Sequence, residues 1–457
     1  MDQANIVAYA ALLLFVPFAV FVYAMARPTV ATAVVLVTAV LFLPEKVDFD
    51  PPGLPPFDKA TISGLCALVG STVVARGRLL RSRPGRGLDA FGWVLVIGAF
   101  ATAAANHDVL EYGPTVLPAL TPYDGLSDTI RSLLYLVFPF FLGRALYRDA
   151  ADLKELMGVV VMAALVYSPL VVIELWMSPQ LHRWIYGFHQ HQFSQAIREG
   201  GYRPMVFMAH GIALAMFLTT AAMFAAALAK ARSPLPLSIP PAPVAIWLCV
   251  LLLLCKSVGA AVYLIVCLPV LLLTSARSQA RLAALLGLAV LLYPMLRALD
   301  LFPVKGLLDF AARFSQDRAD SLAFRFDNET MLMKKALERA VFGWGGFARA
   351  RVYAPWGQDI SVTDGQWILA LGDTGIAGFI GLFGMLTVPV LAAGRKLRRV
   401  AFSSDRALVS AMTLTVALNV VDLLPNGLYH ALPLFYAGAL AGVTRGLSNS
   451  NVEGGLG

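Results

Sequence analysis

Charge is scarce in this chain. Asp, Glu, Lys and Arg make up 14% of its 457 residues, 58% are hydrophobic, and the mean hydropathy is +0.72. So little charge excludes an ordinary soluble enzyme of this length. The short alternating segments of a membrane β-barrel are also missing, which excludes that class. Only four cysteines occur, Cys66, Cys249, Cys255 and Cys267, all in or beside apolar runs. None makes a CxxC spacing, so neither a disulfide framework nor a zinc site is indicated. The first residues lack a basic stretch followed by a small-residue cleavage site, and Ile6 onward is expected to be a retained first span. No internal repeat, low-complexity tract or detachable domain stands out.

The chain is instead filled with apolar runs, many of about 17 to 25 residues, the length that spans a bilayer as helix. They predict an all-α, polytopic integral membrane protein, because a helix satisfies its own backbone groups inside hydrocarbon. Spans are expected near 6–26, 28–43, 60–75, 89–105, 129–147, 154–176, 204–229, 243–256, 258–274, 281–297, 366–391, 407–424 and 430–445. This is one transmembrane domain over 1–457 with about 12–14 transmembrane helices, the last of them in 366–445.

The net charge of +8 does not point to nucleic acid, because most of the basic residues stand in short clusters between apolar runs. RGRLLRSRPGRG (76–87), the Arg144 to Lys154 connection, KARS (230–233), SARSQAR (275–281) and GRKLRR (394–399) fall on one side of the segmentation. Lysine and arginine in short loops face the cytoplasm. Stretches 44–59, 106–128, 177–203 and 298–365 are then extracytoplasmic. PLPLSIPPAP (234–243) is a proline-rich cytoplasmic connector, PEKVDFDPPGLPPFDKA (44–60) an irregular outer loop, and SNSNVEGGLG a loose polar tail.

Stretch 298–365 is one large extracytoplasmic loop, and a connection longer than about 15 residues usually carries function or its own small fold. It holds nine basic and nine acidic residues, so specific arginines rather than a general basic surface must do any phosphate binding. NETMLMKKALERAVFG (328–343) is expected to form a short helix near the membrane surface. Asn328 would cap it, Met333, Leu337 and Val341 would form its apolar stripe, and Gly343 would stop it.

Four groups of residues can carry chemistry. In GYRPMVFMAHG (201–211), a separation of seven places Arg203 and His210 nearly on one face of a helix whose first turn accommodates Pro204. Arginine at a helix N-terminus suits phosphate or pyrophosphate; the alternatives are snorkelling by Arg203 and an interhelical hydrogen bond from His210. WMSPQLHRWIYGFHQHQFSQAIREG (176–200), within the aromatic and histidine loop 177–203, reads as interfacial or as a sugar-stacking surface. His189 and His191 lack the acidic or cysteine partners of a metal site. Arg313, Arg318 and Arg325 either gather around a diphosphate or pair with Asp317, Asp320 and Asp327 in solvent. Asp364, just before the eleventh span, either accepts a proton from a hydroxyl or caps the helix that begins at Gln366-Trp367. The glycines of FGWGGFARARVYAPWG (342–357) make no nucleotide fingerprint, and are expected to allow tight turns and close packing.

These residues resemble the O-antigen ligase and polymerase superfamily, polyprenyl-diphosphate-dependent membrane glycosyltransferases. YRPMVFMAHGIALAMFL is similar to its arginine-led helix mouth, with His210 where asparagine or histidine is often found. SLAFRFDNETMLMKKALERAVFGWGG is similar to its loop pattern and puts Arg325 at an arginine position. DGQWILALGDTGIAGFIG is similar to the segment opening the next span. CKSVGAAVYL (255–264) matches in part, since Val258 stands at an arginine position that Lys256 would have to serve. Asp364 stands where many ligases have histidine, so a polymerase or an exopolysaccharide- or protein-directed branch fits at least as well as a lipopolysaccharide ligase. The likeness covers mainly residues 200–390.

The resemblance implies a GT-C-like fold and metal- and cofactor-independent inverting glycosyl transfer at the outer face of a bacterial inner membrane, with the active site facing the periplasm. An acceptor hydroxyl would attack the anomeric carbon of an undecaprenyl-diphosphate-linked oligosaccharide. Arg203 and Arg325 would stabilise the diphosphate, and Asp364, or else His210, would take the acceptor proton. Arg313, Arg318, Lys256 and Trp367 would complete the substrate-binding set. Membrane lipid, a glycan or other hydroxyl acceptor, and a chain-length regulator or export machinery are the implied partners. The competing readings are a transporter or flippase of lipid-linked oligosaccharide and a non-catalytic component of an export complex.

Overall fold

The computed structural model describes residues 3–453 apart from 52–54, 199, 398–399, 401 and 428–429. Helix α1 (Ile6–Met25) starts where the Asn5 side chain accepts the Ala8 amide, and Pro28 opens α2 (Pro28–Phe42) at the position where a missing N–H costs nothing. Asp58 caps α3 (Lys59–Arg81) by accepting the Ala60 and Thr61 amides. After α4 (Ala90–Ala104), a capping box of Thr121 and Asp124 starts α5 (Pro122–Ser132), which runs through a π-helical turn into α6 (Phe138–Leu146). The long α7 (Ala150–Met177) and the short α8 (Leu181–Tyr186) precede α9 (Gly211–Lys230), α10 (Pro241–Leu254), α11 (Val258–Leu273) and α12 (Ala276–Ala298). Helices α13 (Val304–Ala312) and α14 (Gln316–Leu337) lie in the large loop, and α15 (Gln366–Lys396), α16 (Ser403–Asp422) and α17 (Leu432–Glu453) complete the fold.

A helix occupies every predicted span. Among the described residues, eight helices or helix pairs are long and apolar enough to cross a bilayer, and α2, α10 and α11 are apolar but shorter. The chain is thus an all-α, multi-pass membrane protein, with sheet confined to three small antiparallel ladders among the described residues. Helix α9 forms the centre. Every residue from Ala213 to Leu228 is buried, as expected of a helix that is apolar all round, and it packs on α7, α10, α11 and α16. Asn419 Nδ2 donates to Thr220 Oγ1 at 3.0 Å, a polar tie between α16 and α9.

The loops sort to two ends of this bundle. At one end Glu45 donates its amide to His182 Nε2, Asp108 pairs with Arg339 and Arg349, and Thr115 Oγ1 donates to the Gly357 carbonyl. These bonds join 44–59 to 177–203 and 106–128 to 298–365, and one cavity is lined by residues of both 177–203 and 298–365. At the other end, Arg148 donates to the Arg78 carbonyl, Arg445 to Ser82, and Lys230 to Leu271. These bonds bring the 144–154 cluster against 76–87 and the 230–233 cluster against the end of α11; residues 398–399 of GRKLRR lie outside the described residues.

Helix α15 is broken at Gly375, where φ is 68°. The break frees backbone groups that the glycine-rich loop takes up. Trp344 and Gly345 donate to the carbonyls of Gly372 and Asp373, while Ile376 and Ala377 donate to Ala340 and Val341. Non-helical backbone at this depth needs such partners. Gly343, at φ 70°, comes so close that a Cβ would lie 2.6 Å from the Asp373 carbonyl carbon. The glycines of 342–357 thus serve turns and close packing, as expected from their spacing.

Three local expectations need correction. The loop helix does not start at Asn328; α14 starts at Gln316, because residues 316–327 contain no Gly or Pro and carry Asp317 in the first turn. Its buried stripe runs through Phe326, Glu329, Met333 and Ala336, whereas Leu337 and Val341 are exposed and the helix ends at Leu337. The span expected from residue 204 begins only at Gly211, for reasons given below. The tail expected to be loose continues α17 as far as Glu453, and residues 454–457 lie outside the described residues.

Candidate functional site

A cavity of about 830 Å³ opens where the 191–210 segment, the start of α11, α14, the 361–364 strap and the 422–427 turn meet. Arg198, Arg203, Arg325 and Arg351 line it, against Asp364 and Asp422. This excess of positive charge in a concave, partly apolar setting favours an anion.

Arg203 is presented by unwound chain rather than by a helix. Its amide donates to the Ala196 carbonyl at 2.7 Å, continuing the ladder of 197–198 with 201–202. Beyond it the Glu174 carboxylate at the end of α7 accepts the Met205 and Val206 amides at 2.8 and 2.7 Å, and Tyr167 Oη accepts that of Phe207. Gln190 Nε2 donates to the Val206 and Met208 carbonyls. Glu174 thereby takes amides that a first helical turn would leave free, and Val206 is held at φ 54°, a strained value for a β-branched residue. Arg203 and His210 are therefore not one helix face, and Pro204 is not in a first helical turn.

The guanidinium of Arg203 is 9% exposed as a residue and donates Nη2 to the Lys256 carbonyl at 3.1 Å, while its buried Nε has no hydrogen-bond partner among the described residues. Burial, with Arg198 and Arg325 nearby, lowers its pKa from the usual arginine value. Such a buried donor calls for an acceptor. His210 stands just outside α9 as its N-cap, with Nδ1 accepting the Ile212 amide at 3.0 Å. That bond leaves the proton on Nε2. Burial, with His191 and Arg203 beside it, pushes its pKa down to about 4, so at neutral pH the imidazole is uncharged and a donor through Nε2. The His191 ring packs edge-on against it at 4.7 Å.

Arg325 projects from α14 and pairs through Nε with Asp364 Oδ2 at 3.5 Å. Two buried side chains of the next helical turn set this meeting. Asn328 Oδ1 accepts the Val362 amide at 2.8 Å, tying the 361–364 strap to α14. Glu329 accepts from Tyr293 Oη at 2.8 Å and Trp367 Nε1 at 3.3 Å, and lies 3.4 Å from Arg297 Nε. Burial raises the Glu329 pKa against the opposing effects of Tyr293, Arg297 and Trp367. Asp364 does not cap α15; Gly365 holds that position without a side-chain cap bond.

Compared with known proteins, the chain matches no family model and no curated protein. The site must be judged on its geometry. The cavity brings together Arg203, His210, Arg325 and Asp364. It leaves out the other predicted residues. Arg313 and Arg318 are exposed and outside the lining, since their part of α13 and α14 extends beyond the bundle. Lys256 is turned toward the Arg198 carbonyl, to which Nζ donates at 3.3 Å. Trp367 is fully buried, edge-on to Tyr293 at 5.1 Å, and belongs to the core.

Sequence reasoning missed Arg198, Arg351 and Asp422 in the lining, and Glu174 and Glu329 behind it. Asp422 and Glu174 did carry a signal, because each is an acidic residue in or at the end of an apolar run. Arg351, paired with Asp359 at 2.7 Å, carried none beyond its charge.

Proposed function

We propose that this chain transfers or polymerises glycan units from undecaprenyl diphosphate onto a hydroxyl acceptor at the outer face of a bacterial inner membrane, in surface polysaccharide assembly. The observation that carries the reading is the buried Arg203 guanidinium, with an unpartnered Nε, in one cavity with Arg325 and Asp364. A diphosphate supplies the acceptors those donors lack. The resemblance to the O-antigen ligase and polymerase superfamily supports the same reading and supplies the GT-C-like, metal-independent chemistry. Arg198 and Arg351 provide the cationic lining for which Lys256, beside Val258, is not positioned.

In this mechanism the acceptor oxygen forms a bond to the anomeric carbon as the bond from that carbon to the diphosphate breaks, inverting the centre. The electron pair leaves with the diphosphate. Arg203 and Arg325 stabilise the charge that develops there, and fixed donors in a low-dielectric site do this without reorganising. His210, neutral and donating through Nε2, is suited to orient a substrate oxygen rather than to remove its proton. A carboxylate of the cavity takes the acceptor proton, with Asp364 the residue that the resemblance indicates.

Single replacement of Arg203, Arg325 or Asp364 in a polysaccharide-producing cell tests the assignment. The expected outcome is normal protein level, accumulated undecaprenyl-linked oligosaccharide and loss of long product, measured by lipid extraction and gel analysis. Unchanged polymer with altered uptake of a solute would instead support a transporter.

A further inference from the structure

The cavity contains two carboxylates in opposite settings. Asp364 lies just before α15, at the positive end of a helix, and is engaged by Arg325 at 3.5 Å. Asp422 is the last residue of α16, at the negative end of a helix, where a carboxylate gains nothing from the dipole. No cation pairs with it among the described residues; its bond there is from Asn426 Nδ2 to Oδ1 at 2.8 Å. It nevertheless faces the same cavity as Arg203 and Arg325.

The two carboxylates stand on a shared seam. The Gln366 amide donates to the Leu423 carbonyl at 2.9 Å, and a Cβ on Gly427 would lie 3.0 Å from the Asp364 carbonyl oxygen. The 422–427 turn and the start of α15 are thus in backbone contact. Both residues reach the reacting region from one wall, and only one is already occupied as a counter-ion. A base must be able to gain a proton, which a guanidinium paired to it opposes and the lack of such a pairing favours. Pairs of carboxylates in opposed environments divide such roles between them.

We infer that Asp422 is the catalytic base of the transfer, and that Asp364 is the counter-ion that fixes Arg325 toward the diphosphate. This rests on the glycosyl-transfer reading above and reassigns the base within it. The acceptor O–H proton passes to the Asp422 carboxylate as the new C–O bond forms. The electron pair of the old bond departs on the diphosphate, and the carboxylic acid then returns its proton to water. Asn426 Nδ2 donates to Oδ1 and fixes the carboxylate, while Oδ2 remains to take the substrate proton.

Asp422→Asn and Asp364→Asn, each nearly isosteric, distinguish the roles in purified full-length protein in lipid nanodiscs. Transfer is measured with lipid-linked oligosaccharide extracted from the producing cell, and binding with undecaprenyl diphosphate alone. Asp422→Asn is expected to lower turnover by about 10²–10⁴-fold while binding stays within about twofold. Asp364→Asn is expected to weaken binding and to retain more turnover at saturating donor, and Asp422→Glu to restore part of the lost rate. The inference is overturned if Asp422→Asn turns over at close to the wild-type rate, or if it loses binding together with turnover, which would make Asp422 structural. A wild-type protein that binds undecaprenyl diphosphate yet transfers nothing sinks the underlying reading itself, and with it this assignment.

Discussion

Arg203→Ala is expected to lower glycan transfer by about 10²–10³-fold, the loss that follows removal of one preorganised donor to a developing anion. Protein level should remain close to wild type. The backbone at this position is held by Ala196, and the chain beyond it by Glu174 and Tyr167, none of which depends on the Arg203 side chain. The change also leaves no helix face open, since 203–210 is not helical. Arg203→Lys should fall between, because lysine keeps the charge and loses the planar fork. Turnover, donor affinity and expression measured together decide the matter. If Arg203 served only to bond the Lys256 carbonyl, alanine would lower thermal stability and leave turnover per folded molecule unchanged.

The largest expected effect on stability is at Trp367. Truncation to alanine should cost about 3–5 kcal/mol, the usual range for a fully buried aromatic. The indole packs edge-on against Tyr293, fills space beside Gly365 and donates to Glu329, whose other partners hold α12 to α14. Removing it opens a cavity and leaves a buried carboxylate short of one donor. Because Glu329 lies one turn from Arg325, lost packing here should also loosen the Arg325–Asp364 pair. Thermal unfolding in detergent measures the cost. Unchanged stability with a weakened donor affinity would return Trp367 to the substrate-binding set that the resemblance implies.

The helices were legible in the sequence because an apolar run long enough to cross a bilayer has few other solutions, and every predicted span coincides with a helix. The connections between spans were legible too, and two of their arginine clusters, 76–87 and 144–154, meet through Arg148 and the Arg78 carbonyl. Helix ends were not. Arg203 to His210 looks helical by spacing, but Glu174, about thirty positions away in sequence, takes its amides and keeps it unwound. No local rule anticipates that. The same holds for Asn328, a good capping residue placed inside α14 and used to fasten Val362 instead. Within the candidate site, Arg203, Arg325, His210 and Asp364 converge as their motifs implied. Arg313 and Arg318 do not: Arg313 caps the end of α13, Arg318 lies in the first turn of α14, and both side chains are exposed outside the lining. Asp422 was readable as an acidic residue at the end of an apolar run, but its place in the cavity with Asp364 depends on the 422–427 turn meeting the start of α15.

We propose that the cavity separates a glycan from polyprenyl diphosphate and passes it to a hydroxyl. The most direct test of this proposal is reconstitution of the purified protein in proteoliposomes with radiolabelled lipid-linked oligosaccharide from the producing cell, without nucleotide sugar. Free undecaprenyl diphosphate and a lengthened or transferred glycan are expected in equal amounts, both lowered together by about 10²–10³-fold in Arg203→Ala. Movement of intact lipid-linked oligosaccharide between leaflets, with no undecaprenyl diphosphate released, would contradict it.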